Sequence, residues 1–482
     1  MSKRRDAVIK AVRALEPNLG AMLEDAGIPG CTARVVFEDG DGMSLAMGQK
    51  SRGRADSPDG GTVFMIGSCS KAFTALTASA LAYRGTVDLD APISSHVPVR
   101  FEGAGGEVTL RHLLTNTSGI PNLGMSELVT GRHLYGRLPN GYAGTYPFGT
   151  SESAVIFANG AELASRPGDL YIYSNEGFSL AAEVLAAAAG RPFPDLVEET
   201  VLGPIGMSSS GDREADLPPR TEWADGHAAG REPAPPYFEP AIAGAGGLLS
   251  TADDMGRFVQ ALLTEGLPDG PGSRNRVIPL GVVREIEIGR VAHRTAESLV
   301  GPGFGPELYG MGLMIYPDFL GTRVVTHGGS TGHFSSSIFI DRELGFGMAS
   351  LCNGGTGEGI LALFAFMGAA AVLGRDPASV FPRRALERRR REREGDYACR
   401  GDAVSARISY GQGRLWWEAT DGNGNSPEGP RPIETRTGPA GPTFWYLNGP
   451  GAESEVFFFV GTDGLTRVRK DRNVLTRREP AR

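Results

Sequence analysis

At 482 residues the chain is too long for one ordinary core of about 150 residues, and a composition of 40% hydrophobic and 22% charged residues excludes a wholly disordered polypeptide. A formal net charge of -8 gives no basic field for a nucleic-acid backbone, so nucleic acid is not expected as a partner. The longest apolar run, residues 360–374, falls short of the roughly 18 residues a membrane span requires and predicts a buried helix.

The chain opens on MSKRRDAVIKAVRALEPNLG, where Glu16 and Asn18 interrupt the apolar residues before a leader core can form, so an amphipathic helix is predicted. The absence of a leader, with four cysteines (Cys31, Cys69, Cys352, Cys399) that lack paired spacing, leads to an expectation of free thiols and a cytoplasmic location. CTARVVFED and MSLAMGQ, separated by a Gly40 turn, read as a hairpin.

Next comes FMIGSCSKAFTALTASAL, Phe64 to Leu81. From Ser70 to Ala82 it is rich in Ala, Leu and Thr without Pro or Gly, which predicts a buried helix starting at or near the serines. Three candidate nucleophiles, Ser68, Cys69 and Ser70, precede Lys71. That lysine stands alone between Lys50 and Lys470 in a chain that otherwise uses arginine for positive charge. A guanidinium stays protonated, whereas a desolvated amine can release its proton and act as a base. A chance lysine on a helix is the plainer reading of that clue by itself. Residues three apart share a helix face, which pairs Ser68 with Lys71 and turns Cys69 and Ser70 elsewhere. A serine at a helix N-terminus also has free N–H groups and a favourable dipole beside a developing oxyanion.

From about residue 95 to 245 short helical patterns alternate with Gly/Pro/Asn loops, a mostly helical insertion. Within it RPGDLYIYSNEGFSLAAEVL supplies Tyr173-Ser174-Asn175 between a Pro-Gly turn and a helix. AGAGGLLSTADDMGRFVQALL then reads as a Gly-rich turn and a helix capped by Ser250 or Thr251. Strands return in RVVTHGG, HFSSSIFID and GFGMASLCN, and His327-Gly328-Gly329 provides small residues that let a substrate backbone approach a strand. His333, nearby, reads as structural or pocket-lining. Residues 376–395 change composition abruptly to an Arg/Glu run, read as a solvated linker helix. From 396 to 482 short alternating strands between Gly/Asn/Asp turns predict a small antiparallel β domain, lipocalin-like or barrel-like. A second Y-x-N, Tyr446-Leu447-Asn448, reads as chance. The seven histidines lack ligand spacing, so no metal and no cofactor are expected.

S-x-x-K alone is a weak pattern, but S-C-S-K, Y-S-N and H-G-G in this order resemble the penicillin-recognising serine hydrolases: class C β-lactamases, DD-peptidases, D-aminopeptidases and related esterases. Further segments in family order extend the resemblance over roughly residues 25–375. It implies an α/β fold, a β-lactamase/transpeptidase-like sheet flanked by helices, in a domain spanning residues 1–375. It implies Ser68 as acylated nucleophile, Lys71 as proton acceptor and Tyr173 as general base or proton shuttle. Asn175 would bind substrate or Lys71, His327, Gly328, Gly329 and Ser330 would line the substrate site, and the N–H groups of Ser68 and Ser330 would form the oxyanion hole. A cation near Tyr173 is needed to lower its pKa of about 10, and Lys71 or His327 could supply it. Asn116 departs from the family, many members of which carry His there.

Histidine in the third motif, where β-lactamases carry Lys-Thr-Gly, offers a charge only when protonated and disfavours antibiotic hydrolysis. The expectation is therefore an intracellular peptidase or amidase for small D-configured peptides or amides. Alternatives are an acyltransferase or thioesterase that cyclises peptides, a carboxylesterase, or a non-catalytic β-lactam sensor. The partner is a small molecule or short peptide, and the oligomeric state is open.

Overall fold

The computed structural model describes residues 2–103, 105–135, 149–150, 152–228, 230–267, 276–294, 306–381, 393–399, 405–411, 414–420, 429–438, 441–449, 452–460, 465–470 and 473–478. The chain divides into two compact units, Met1–Arg375 and Asp376–Arg482.

In the first unit the alternating apolar segments pair into one antiparallel sheet. Its strands are β1 (Gly30–Phe37), β2 (Gly42–Gly48), β3 (Val291–Arg294), β4 (Glu307–Tyr309), β5 (Met314–Phe319), β6 (Thr322–Ser330), β7 (Ser335–Asp341) and β8 (Phe346–Cys352). Their order across the sheet is β2-β1-β8-β7-β6-β5-β4-β3. The predicted hairpin is β1–β2, and β1 then pairs with β8 in a register that sets Cys31 opposite Cys352.

Every residue of β7 and β8 is buried, as expected of strands covered on both faces. On one face Phe339 packs edge-on against Phe366 of a helix, α5 (Glu358–Val372), which is the long apolar run of the sequence. The N-terminal helix α1 (Ser2–Asp25) packs on α5 through Val8, Val12, Leu19 and Leu23, spaced along one helical face. On the other face Gly347 leaves room for Val259 of α4 (Ala252–Leu263). Thr251 caps α4, its side chain accepting from Asp254 N, and Asp253 and Asp254 lie in the positive first turn.

Helix α2 (Ser70–Tyr83) is buried from Ser70 to Leu81, which is why its apolar residues show no single stripe. Beside it stands α3 (Asn175–Ala189), N-capped by Ser174 and ended by left-handed Gly190. Residues 243–246, within the Gly-rich turn read from sequence, form one turn of helix. A side chain on Gly244 would meet Phe178 O at 2.4 Å, so small residues let this turn pack directly on α3.

The second unit is a closed barrel of eight antiparallel strands, from Gly395–Ala398 to Asn473–Arg477, each paired with the next and the last with the first. Tyr397, Ile408, Leu415, Trp417, Ile433 and Val456 belong to its core. Residues 382–392, the heart of the sequence-predicted linker helix, lie outside the described residues. Among the described residues no helix is long and apolar enough to cross a membrane.

Candidate active site

The segment before α2 ends in a single 3-10 turn, Gly67–Cys69, and the three candidate nucleophiles separate there. Ser70 Oγ donates to Gly67 O at 2.7 Å and accepts from Leu248 N at 3.3 Å, so it ties the turn to its neighbour. Cys69 is fully buried, accepts from Ser336 Oγ at 3.1 Å, and burial pushes its thiol up to about 12. Ser68 alone meets the lysine and the tyrosine. Its Oγ lies 3.1 Å from Lys71 Nζ and 2.8 Å from Tyr173 Oη.

Lys71 is 0% exposed, with Nζ 4.8 Å from the Tyr173 ring centre and 5.4 Å from that of Phe178. Its other contacts are Asn175 Oδ1 at 2.7 Å and Ala245 O at 2.8 Å, both of which can only accept. Burial lowers its pKa to about 7 although Glu176 and Glu358 pull the other way. A neutral amine has two N–H bonds. With both committed to Asn175 and Ala245, its lone pair faces Ser68 Oγ.

One sequence expectation needs correction, and another gains a starting state. Tyr173, for which the resemblance implies a general base or proton shuttle, begins protonated: burial pushes the phenol well above its ordinary value, an effect its hydrogen bond to Ser68 opposes, and its Oη donates to Ser68 Oγ. His327 was expected at the substrate surface as a conditional cation, yet it is 1% exposed. Its Nδ1 faces Gly328 O, its Nε2 lies 3.2 Å from Tyr309 Oη, and burial together with Lys71 lowers its pKa to about 3. These contacts fit a neutral ring with the proton on Nδ1, which ties β6 to Tyr309 of β4.

The glycines of the third motif also serve a purpose other than the expected one. A side chain at Gly329 would come 2.1 Å from Ile66 O and 3.0 Å from Ser68 N, and one at Gly67, whose φ is +50°, would come 2.8 Å from Ser330 N. Bare glycine at both positions lets the Ser68 turn close on β6 and brings the Ser68 and Ser330 amides near one another. Ser330 itself is exposed at the strand end, its Oγ donating to Gly355 O.

Several contributors carried no sequence signal. The Ala245 carbonyl belongs to a backbone, and Tyr309 lies on a three-residue strand. Glu176 is 1% exposed and accepts from Leu123 N and Met125 N. Glu358 stands in the first turn of an apolar helix. Asn116 sits at φ +56°, a left-handed position that asparagine tolerates, where its Oδ1 accepts from Ser174 N and its carbonyl from Ile172 N. It thus clamps the segment that carries Tyr173. His333 is buried between Tyr237 and Phe334, and Tyr446-Leu447-Asn448 lies on a barrel strand of the other unit. Among the described residues no cluster of His, Cys, Asp and Glu could hold a metal ion.

A family model described as Beta-lactamase matches residues 13–364. The D-alanyl-D-alanine-carboxypeptidase/endopeptidase AmpH of Escherichia coli (strain K12) is 29% identical over 240 residues, 48% of this chain and 57% of AmpH. The chain thus spans little more than half the length of that relative. Esterase EstB of Burkholderia gladioli is 28% identical over 350 residues, covering 63% of this chain and 82% of EstB. Among solved structures, the octameric penicillin-binding protein homologue from Pyrococcus abyssi superposes with a TM-score of 0.77 at 24% identity, over 97% of this chain and 100% of that one, a likeness of fold. A D-stereospecific amidohydrolase from Streptomyces sp. gives a TM-score of 0.55 at 25% identity, over 74% of this chain and 97% of its own.

Proposed function

The chain belongs to the beta-lactamase family, and from that premise we propose that it is a serine hydrolase working through a covalent acyl-enzyme on Ser68, with small D-configured peptides or amides as substrates. The observation that carries the reading is the contact of a fully buried Lys71, its pKa lowered to about 7, with a serine that also accepts from Tyr173.

In acylation, neutral Lys71 takes the Ser68 proton while Oγ attacks the substrate carbonyl. The Ser68 and Ser330 amides receive the developing oxyanion. Tyr173 gives its proton to the leaving amine as the bond to it breaks. This leaves an ammonium on Lys71 beside a Tyr173 phenolate, and the new cation now stabilises the tyrosine anion. The phenolate next takes a proton from water, the resulting hydroxide attacks the ester, and Ser68 Oγ departs with the Lys71 proton. Both bases are then reset.

Support for D-configured amides comes from AmpH and the amidohydrolase, whose names describe such activities. The match over 82% of EstB supports carboxylesterase activity as a second reading. The test offers the purified protein a D-aminoacyl anilide, a simple ester and a peptidyl thioester with an amine acceptor, follows products by mass, and repeats labelling with a serine-reactive fluorophosphonate. Release of amine from the anilide, with labelling lost in Ser68→Ala and kept in Cys69→Ala and Ser70→Ala, is expected. Turnover of the ester alone would favour the esterase, and coupled product would favour acyl transfer. Labelling that survives Ser68→Ala would overturn the assignment.

A further inference from the structure

The proposed chemistry leaves one carboxylate beside the third motif without a role. Glu358 begins α5 and is half-buried beside β6. Gly328 has no side chain, and a Cβ built there would lie 2.2 Å from Glu358 Oε1, 2.6 Å from its Cγ and 2.8 Å from its Cδ. The acid therefore fills the space that a side chain of the third motif would occupy on the α5 face of β6, opposite the face that Gly329 turns to Ser68, and two residues before the Ser330 amide. Its charge is felt at Lys71, Tyr173 and Cys69. Glu176, the other carboxylate acting on Lys71, is sealed in the core, its Oε1 accepting from the Leu123 and Met125 N–H groups and its Oε2 from the Ser174 hydroxyl, so Glu358 is the one of the two with exposed surface.

We propose that Glu358 sets the charge preference of the site, favouring substrates that carry an ammonium group close to the scissile bond and opposing those that carry a carboxylate there. The inference rests on the serine-hydrolase reading. The neutral His327 leaves the third motif without a cation, so a substrate carboxylate there would meet Glu358 and no compensating charge from that motif. Glu358 has a further interaction within the protein. A carboxylate has about four lone-pair sites, which leaves capacity for a substrate N–H as well.

The ammonium could belong to the acyl donor, as a free amino terminus, or to the leaving group. Two substrate sets separate these sources. The first compares D-alanine 4-nitroanilide with its N-acetyl derivative. The second compares 4-(aminomethyl)phenyl acetate, phenyl acetate and 4-acetoxybenzoate. In the wild type, the ammonium member of at least one set should exceed its neutral partner about tenfold or more in kcat/KM, and 4-acetoxybenzoate should be the poorest ester. In Glu358→Gln that ratio should collapse toward one, chiefly through KM, and Glu358→Asp should restore it in part. Any effect of the variant on Lys71 acts on every substrate and cancels in the ratio. The set that loses its preference identifies the source. Equal ratios in wild type and Glu358→Gln for both sets would overturn the inference while leaving the hydrolase reading intact. Absence of turnover on all five substrates, together with no serine labelling, would instead overturn the hydrolase reading and this inference with it.

Discussion

Lys71 has three neighbours within hydrogen-bond distance and, when neutral, only two hydrogens to give. The Asn175 and Ala245 oxygens are obligate acceptors, whereas the Ser68 hydroxyl can turn either way. Loss of one proton therefore converts Lys71 from a donor to Ser68 into an acceptor from it, and the groups arranged around the change are Tyr173, Glu176, Cys69, His327 and Glu358. Because the protonated amine cannot take the serine proton, kcat/KM should rise with pH through a single ionisation near 7 and level off above it. A pH profile on an uncharged ester measures this. Removing the acceptor in Asn175→Ala frees one N–H to turn toward Ser68, so the plateau should fall about 100-fold. A flat profile from pH 5 to 9 would exclude Lys71 as the base.

At the scale of elements, the sequence was informative where a pattern is local. The run from Ser70 to Ala82 without Pro or Gly became α2, and Thr251 caps α4 as its position suggests. The spacing of Ser68 and Lys71 brought their side chains together although Ser68 lies in a 3-10 turn and not in the helix proper. Contacts made by backbone or across elements left no such mark. In H-G-G, His327 reads as a substrate-site residue that is charged only when protonated, because sequence does not reveal that its strand faces Tyr309. Asn116 is a similar case: its departure from the family histidine has meaning only beside Ser174, where it joins the turn after residues 110–114 to the start of α3. Asn116→Ala loses that hydrogen bond and places an ordinary residue at a left-handed φ, together costing roughly 2–3 kcal/mol. Asn116→Gly keeps the backbone relaxed and loses only the clamp. The alanine variant should thus melt below the glycine variant, while both lose activity as Tyr173 shifts. Equal melting temperatures for the two would mean that the φ of this residue is not strained.

Across the whole molecule, the sheet joins segments about 300 residues apart, which is why four cysteines without sequence spacing include a directly opposed pair, Cys31 and Cys352, both free. The same closure of β1 on β8 and of α2 on its neighbours buries Lys71 completely, so the proposed catalytic arrangement and the stability of the fold oppose each other. Below pH 7 the lysine is charged in folded and unfolded chains alike, and the cost of burying that charge is fully present. Between about 7 and its ordinary 10.5 the folded protein has released a proton that the unfolded chain still holds, so stability from this residue rises with pH. Above 10.5 the difference disappears. The cost at pH 6 is of order 5 kcal/mol. Lys71→Met leaves Asn175 and Ala245 without a donor at every pH, but it removes the titration. Relative to wild type, the inactive variant should therefore be at its most favourable below pH 7 and lose several kcal/mol of that standing by pH 10, in paired urea titrations across this range. A wild-type-to-variant difference that stays constant with pH would mean that Lys71 ionises alike in both states, and the proposed route of the Ser68 proton would fall with it.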